Sequence, residues 1–202
     1  MKSLALFSEE KAAQVAAFFL LRAQKRDMSV TKLRLIKWMY LAERRSYKLY
    51  GEPIVGDYML SMKHGPVLSN TLYLVENPDR ALKTDGSWAN NIKTKPNDRH
   101  SYMSLQEDTA FTSEAKLRHL SDCDIEILDD IWSEYGRLSA KQLETLLHDD
   151  KKFPEWEWDR RKGNKPIELE ILLPILGFSE DDASGIIEQL QQHEALEQAF
   201  QS

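Results

Sequence analysis

Apolar residues recur at helical spacing along most of the chain, and short polar or Gly/Pro-bearing stretches separate the helical runs. Ser8 followed by Glu9 and Glu10 makes an N-cap with acids in the first turn. Val15, Phe18, Phe19 and Arg22 then keep helical spacing, which predicts a helix from Ser8 to Lys25. Thr31 caps a second helix running to Tyr50. Leu33, Ile36, Tyr40 and Tyr47 form one stripe on it, and Leu35, Trp38, Met39 and Ala42 form another. A helix apolar on two sides belongs at the centre of its domain. Gly51 and then Pro53 end it in the usual order, with Arg44, Arg45 and Lys48 near the end where the dipole favours cations.

Ile54 to Lys63 reads as an extended approach to the turn His64-Gly65-Pro66. Ser69 or Asn70 opens a short helix through Leu72, Tyr73 and Val75, ended by Asn77 and Pro78. Asp79 to Arg99 is polar and rich in Gly, Asn, Asp and Pro, so a long loop is expected, with a ragged strand near Trp88 to Ile92. His100 to Leu105 and Thr109 to Thr112 are expected to pair as a small β-hairpin across Gln106, Glu107 and Asp108. Ser121 with Asp124 and Ser139 with Gln142 are capping boxes, stapled by Leu120 with Ile125 and by Leu138 with Leu143. They predict helices from Asp122 to Tyr135, stopped by Gly136, and from Ala140 to His148. An aromatic segment, Phe153 to Trp158, is broken by Pro154, and a basic loop from Arg160 to Lys165 follows. Pro166 suits the first position of a helix that continues through Ile167 to Leu173 until Pro174 and Gly177 interrupt it. Ser179 with Asp182 opens the last helix, whose stripe is Ile186, Ile187, Leu190 and Leu196.

The fold class is therefore mainly α (α+β): a compact helical domain with a small β-hairpin in the middle and an acidic helix at the C-terminus. The expected organisation is one domain over residues 1–178 and a helical extension over 179–202. At 202 residues and 42% hydrophobic content the chain can bury one real core. No window reaches the roughly 18 apolar residues of a membrane span. Val15 to Leu21 lies behind Glu9, Glu10 and Lys11 and lacks a small-residue cleavage site, so it is not a secretory signal. A single cysteine, Cys123, excludes an intramolecular disulfide and a cysteine-based zinc site, in keeping with a cytoplasmic protein.

Charge sharpens the picture. The formal net charge is −6. From Pro166 onward there are eight acids, Glu168, Glu170, Glu180, Asp181, Asp182, Glu188, Glu194 and Glu197, and no Lys or Arg. The preceding 165 residues hold the other 25 acids of 33 against all 27 basic residues, a formal +2. Such a split fits either an acidic face that meets a basic partner or a solvated helical tail.

Candidate chemistry is sparse. The histidines, His64, His100, His119, His148 and His193, include no i, i+4 pair and no His-Glu-x-x-His run. His148 beside Asp149 and Asp150 has no third ligand in view, and is expected to end a helix and complete hydrogen bonds there. There is no Gly-x-Ser-x-Gly elbow and no phosphate-binding Walker loop. Cys123 sits at a helix start but between Asp122 and Asp124, whose charge opposes ionisation, so it is expected to be inert. Arg22 to Lys48 carries nine Lys or Arg against Asp27 and Glu43, a candidate nucleic-acid footprint. No compact helix-turn-helix accompanies it, and the sequence pI is near 5.5. Trp38, Tyr40, Trp156 and Trp158 are core candidates by default. Trp158, between Glu157 and Asp159, is the one expected to be partly exposed and available to a partner.

The run Lys32 to Ala42 (Lys-Leu-Arg-Leu-Ile-Lys-Trp-Met-Tyr-Leu-Ala), then Gly51 to Ile54 (Gly-Glu-Pro-Ile), then Met62 to Val67 (Met-Lys-His-Gly-Pro-Val) and Leu72-Tyr73, resembles the Panacea antitoxin domain, also described as SocA-like. Leu35, Lys37, Tyr40, Gly51, Pro53, Gly65, Pro66 and Val67 match that pattern. Leu146 to His148, followed by Pro154 and Trp156, resembles its second half, so the likeness runs from about Ser8 to Phe178. Ile36, Trp38 and His64 depart from the commoner residues, and the 79–99 insert is long. Each motif residue has a structural reading of its own, a C-cap at Gly51 and a tight turn at Gly65-Pro66, and Tyr40 needs a hydroxyl partner if buried.

The resemblance implies an antitoxin that neutralises a growth-inhibiting toxin by direct contact, with no catalytic residue, cofactor or metal. Its partner is a cognate toxin, usually encoded by the adjacent gene in bacteria or phages. One branch of the family looks like a proteolytic adaptor delivering its toxin to an ATP-dependent protease, and a DNA-binding autoregulator is a further alternative. Some relatives carry an extra DNA-binding domain, which is not expected N-terminal to this region. The reading allows a homodimer and expects no membrane and no nucleic acid. Toxins that act on RNA or ribosomes tend to be basic, so the expected contact residues are Trp158, Glu180, Asp181, Asp182, Glu188, Glu194 and Glu197.

Overall fold

The structure, a computed structural model, describes residues 6–77, 86–95 and 101–200. Helix α1 spans Glu9–Gln24, with the Ser8 side chain accepting from the Lys11 backbone N–H as its cap. A two-residue strand, β1 (Val30–Thr31), leads into α2 (Lys32–Tyr50), capped by Thr31 and closed by Gly51 in the left-handed conformation at φ 68°. Both helices keep the sequence boundaries. The two apolar stripes of α2 put it in the middle: α1, α3 (Ser69–Glu76), α5 (Asp122–Tyr135), α6 (Ala140–Leu147) and α7 (Leu169–Leu176) all pack against it. Trp38 and Tyr40 are fully buried there. Phe19 and Trp132 flank the Trp38 ring at 5.5 and 5.4 Å. Both sequence-predicted capping boxes form, Ser121 with Asp124 and Ser139 with Gln142.

Two small antiparallel sheets fasten the loops to this helical core. Strands β2 (Met59–Ser61) and β3 (Val67–Leu68) form one with β6 (Lys165–Pro166), in the order β3-β2-β6. The other has the order β1-β5-β4, with β4 (Ile92–Lys95) pairing β5 (Tyr102–Leu105) in the register Ile92 to Leu105.

Several expectations need correction here. Trp88 to Asn91 is not a ragged strand but part of a short helix, α4 (Ser87–Asn91), with the strand beginning at Ile92. Burial explains it: the Trp88 side chain is fully enclosed and its backbone N–H donates to Glu9, which pins the turn onto α1. Thr109 to Thr112 does not pair with the segment before it. The Asn91 side-chain oxygen captures the Thr109 hydroxyl and the Ala110 N–H, so β5 takes β4 and β1 as its partners instead. Residues 78–85 and 96–100 of the expected long loop, and so His100 at the expected hairpin start, lie outside the described residues.

Pro166 does not open a helix. It sits in edge strand β6 opposite Leu60, where a missing N–H costs nothing, and Ile167 donates to Met59 beyond it. Helix α7 starts at Leu169 and runs through Pro174 to Leu176. It closes with a Schellman pattern, Gly177 N–H to Pro174 and Phe178 N–H to Leu173. Ser179 then caps α8 (Glu180–Phe200) through the Asp182 N–H. Of the predicted α8 stripe, Leu190 is buried and Ile186 and Ile187 are half-buried, but Leu196 is 58% exposed.

Gly51 ties the end of α2 to α8. A Cβ there would meet the Ile186 side chain at 2.9 Å, on top of the left-handed strain. Gly51→Ala should therefore cost about 1–3 kcal/mol in urea denaturation, whereas alanine at the neighbouring exposed Glu52 should stay within about 0.5 kcal/mol. Equal effects at the two positions would contradict this packing.

Candidate functional site

The motif residues converge on one side of α2, and they are occupied with holding loops. Lys37 is completely buried, and its ammonium group donates to the Pro66 carbonyl at 2.7 Å. The turn presses against it: a Cβ on Gly65 would lie 3.2 Å from Lys37 Nζ and 3.4 Å from Leu147. Burial pushes the Lys37 amine down to about 7, opposed only in part by the Glu144 carboxylate. His148 ends α6 through its backbone N–H, as expected. The ring stacks on Trp156 at 4.0 Å and 10°, and its Nε2 is buried with no partner among the described residues. Burial holds the imidazole below its ordinary value. Trp156 is fixed in turn by its indole N–H to the Met62 carbonyl at 2.9 Å.

One turn along α2, Tyr40 finds the partner its buried hydroxyl requires. It donates to Glu155 at 2.8 Å, and Arg44 donates to the same carboxylate at 2.6 Å. Arg44 also lies over the Phe153 ring. Removing one partner of a buried pair of this kind costs about 3–5 kcal/mol, because the other charge is left uncompensated.

Sequence reasoning missed Glu155, Glu43 and Asp57. Glu43 is enclosed by the end of α2 and accepts four backbone N–H groups, from Ile54, Val55, Gly56 and Asp57. Burial raises it to about 7 against the pull of those bonds. Asp57 then caps α3 from a distance. It accepts from the Asn70 and Thr71 N–H groups and the Thr71 hydroxyl, while the N-cap residue Leu68 has no side chain to offer. A signal for Glu43 was present, since it falls at helical spacing inside the Ile36, Tyr40 and Tyr47 stripe. Asp57 and Glu155 lie in irregular segments, where no periodicity exists to violate.

The basic stretch is used in the same way. Arg22 and Lys25 pair with Glu114, and Arg22 also reaches Asp129. Arg26 lies over Trp132, Lys32 pairs with Glu76, Arg34 donates to the Gly136 carbonyl, and Arg45 pairs with Glu134. These cations face protein partners, while Lys48 stays exposed near the end of α2. Cys123 is exposed in the first turn of α5. Among the described residues no group of three His, Cys, Asp or Glu could hold a metal ion, and no helix is long and apolar enough to cross a membrane.

The net negative charge is concentrated on α7 and α8, which carry acids and no Lys or Arg, while exposed cations such as Arg118, Arg137, Lys151, Arg160, Arg161 and Lys162 lie elsewhere. Glu180, Asp181 and Asp182 occupy the first turn of α8, where they also favour the helix dipole. Asp181 and Glu188, seven residues apart, share the outward face. Glu194 falls on the same side as Ala183 and Leu190, and Glu197 sits beside His193. The acids therefore surround α8 and do not form a single stripe. Trp158 is half-buried in a different place, before the Asp159–Gly163 turn. A cleft lies on each flank of α8. One, about 350 Å³, is bounded by Ile187 and Gln191 of α8, Met59 and Leu60 of β2, and Ile167 to Glu170. The other, about 690 Å³, runs between Gln189, Leu190, His193 and Glu197 and the start of α1, with Glu10 and Glu52 on its wall. Leu6 and Gly56 line both, so α8 stands as a ridge between them.

The buried amine makes a pH prediction. Between about 7 and 10.5 the unfolded chain holds a Lys37 proton that the folded chain has shed. Stability from this group therefore rises with pH across that window, by up to about 1.4 kcal/mol per unit. Lys37→Met removes the effect, so wild type should gain stability relative to the variant from pH 7 to pH 10, with the difference constant well below pH 7. A constant gap would show that the ammonium form persists in the fold.

No curated protein and no solved structure matches this chain. A family model described as "Antitoxin SocA-like, Panacea domain" matches residues 35–157, more than half of the chain and narrower than the 8–178 span the motifs suggested. It begins on α2 and ends at Glu157, so it takes in Lys37, Tyr40, the Gly65-Pro66 turn, His148 and Trp156 but neither α7 nor α8. The chain belongs to the SocA-like antitoxin family and carries its Panacea domain.

Proposed function

We propose that this chain is the antitoxin of a toxin–antitoxin pair and neutralises its cognate toxin by direct protein contact. The carrying observation is the division of charge. Lys37, Tyr40, Glu43 and Glu155 are buried and paired inside the scaffold with the half-buried Arg44, while α7 and α8 present acids and no Lys or Arg. A surface of this kind accelerates and steers association with a basic partner. Residues 1–178 act as the scaffold and 179–202 as the contact element. Glu180, Asp181, Asp182, Glu188, Glu194 and Glu197 supply its charge, and Trp158 adds an aromatic anchor at a second place. The toxin is the product of the adjacent gene.

The test is growth rescue on co-expression with that product. Truncation after Phe178 should leave a folded domain that no longer rescues. A full-length variant with Asp181→Asn, Glu188→Gln and Glu197→Gln should keep its circular dichroism spectrum, bind the toxin at least tenfold more slowly and lose most of its salt dependence. Full rescue by the truncated chain would remove α8 from the contact surface. Toxin half-life in cells should be the same with and without the chain, because contact alone blocks it. A half-life shortened by the chain would favour the proteolytic adaptor.

A further inference from the structure

The acids alone do not say what part of a toxin they meet, but the cleft beside them does. We infer that the cleft between α8 and the β2–β6 edge receives a basic amphipathic segment of the toxin, apolar side chains inward and Lys or Arg side chains on the acidic rim. The inference rests on the antitoxin reading above.

The cleft holds about 350 Å³, and Leu6, Met59, Leu60, Ile167, Leu169 and Ile187 are among its lining residues. That volume lies in the range of sites that take small ligands or side-chain anchors, ~300–1,000 Å³. The Asp57 carboxylate is already occupied by the Tyr58, Asn70 and Thr71 N–H groups and the Thr71 hydroxyl. The other polar side chains of the lining are Tyr47, Tyr58, Ser69, Gln191, Glu168 and Glu170, and the last two give the wall one sign of charge. No Lys or Arg lines the cleft, and Glu168 and Glu170 stand on its wall, with Glu188 on the exposed face of α8 beside Ile187. The cations Arg160, Arg161 and Lys162 precede β6, whereas the acids follow it, so the basic flank of the occupant lies toward α7 and α8. The exposed apolar side chain of Ile171, on α7, extends the surface beyond the cleft mouth. An apolar seat with a one-signed rim is what an amphipathic segment of opposite charge complements.

The probe is a fluorescein-labelled helical peptide of Leu and Lys with apolar residues at i, i+3, i+4 and i+7, titrated with the full chain by anisotropy. A peptide with Glu in place of Lys and the same apolar pattern is the control. Gln191→Trp fills the cleft from an exposed position, and Glu170→Lys reverses its rim. The Lys peptide should bind wild type, weaken at least tenfold in either variant, and weaken further with salt, and the Glu peptide should not bind. Binding unchanged by Gln191→Trp, or equal binding of the two peptides, would overturn the assignment. Circular dichroism checks that both variants fold. If Gln191→Trp itself unfolds the chain, Ile187→Ser replaces it and the same tenfold loss is required. Growth rescue separates the two levels of the claim. Wild type and Gln191→Trp rescuing equally would discard the cleft and keep the antitoxin. No rescue by wild type would discard the antitoxin reading itself.

Discussion

Helix α2 is buried on all sides over residues 34–43, yet that stretch carries Arg34, Lys37, Tyr40 and Glu43, with the half-buried Arg44 next to it. A buried charge is tolerated only when it is paired or hydrogen-bonded, because leaving it unpaired costs several kcal/mol. Most of their polar atoms meet that demand with segments outside the helix, although Arg34 Nε is buried with no partner among the described residues. Arg34 takes the Gly136 carbonyl after α5, and Lys37 takes the Pro66 carbonyl. Tyr40 and Arg44 share Glu155, and Glu43 gathers the four N–H groups of 54–57. The requirement works in both directions, since those loops lack regular ladders and need the same bonds. The helix and its loops therefore form one cooperative unit, satisfied only when all segments are in place.

That unit has a consequence for function. Most cations of α1 and α2 are drawn inward or onto partner groups, with Lys48 left exposed. The negative charge that remains is displaced to the elements outside the shared domain, α7 and α8. The family motif thus fixes a scaffold, and α8 is seated on it at Gly51 and Leu190.

Most helices were legible in the sequence because their causes are local. Ser8, Thr31, Ser121, Ser139 and Ser179 each cap the helix they were expected to cap. The sheets were not legible, since their pairings are set by tertiary contact. Val30 pairs with Met103, and Leu60 with Pro166, across long stretches of chain. The same holds for Trp88, whose helix exists because Glu9 and the core hold it, and for Thr109, which an asparagine side chain takes from its expected strand. At the site, the resemblance identified Lys37, Tyr40, Gly65, His148 and Trp156, but only the structure shows that a buried carboxylate answers Tyr40. The acidic content of α8 was plain from composition. Its two flanking clefts were not, because each is made by residues from both ends of the chain.

The central claim is that the domain's motif residues are structural and that recognition lies on α8 and its clefts. Hydrogen exchange of the chain alone and in complex with its cognate toxin tests this most directly. The account predicts new protection at 165–170 and along α8, with the amides of 54–57 and 65–67 equally slow in both states. New protection centred on the Gly65-Pro66 turn and the His148–Trp156 stack, with α8 unchanged, would contradict it.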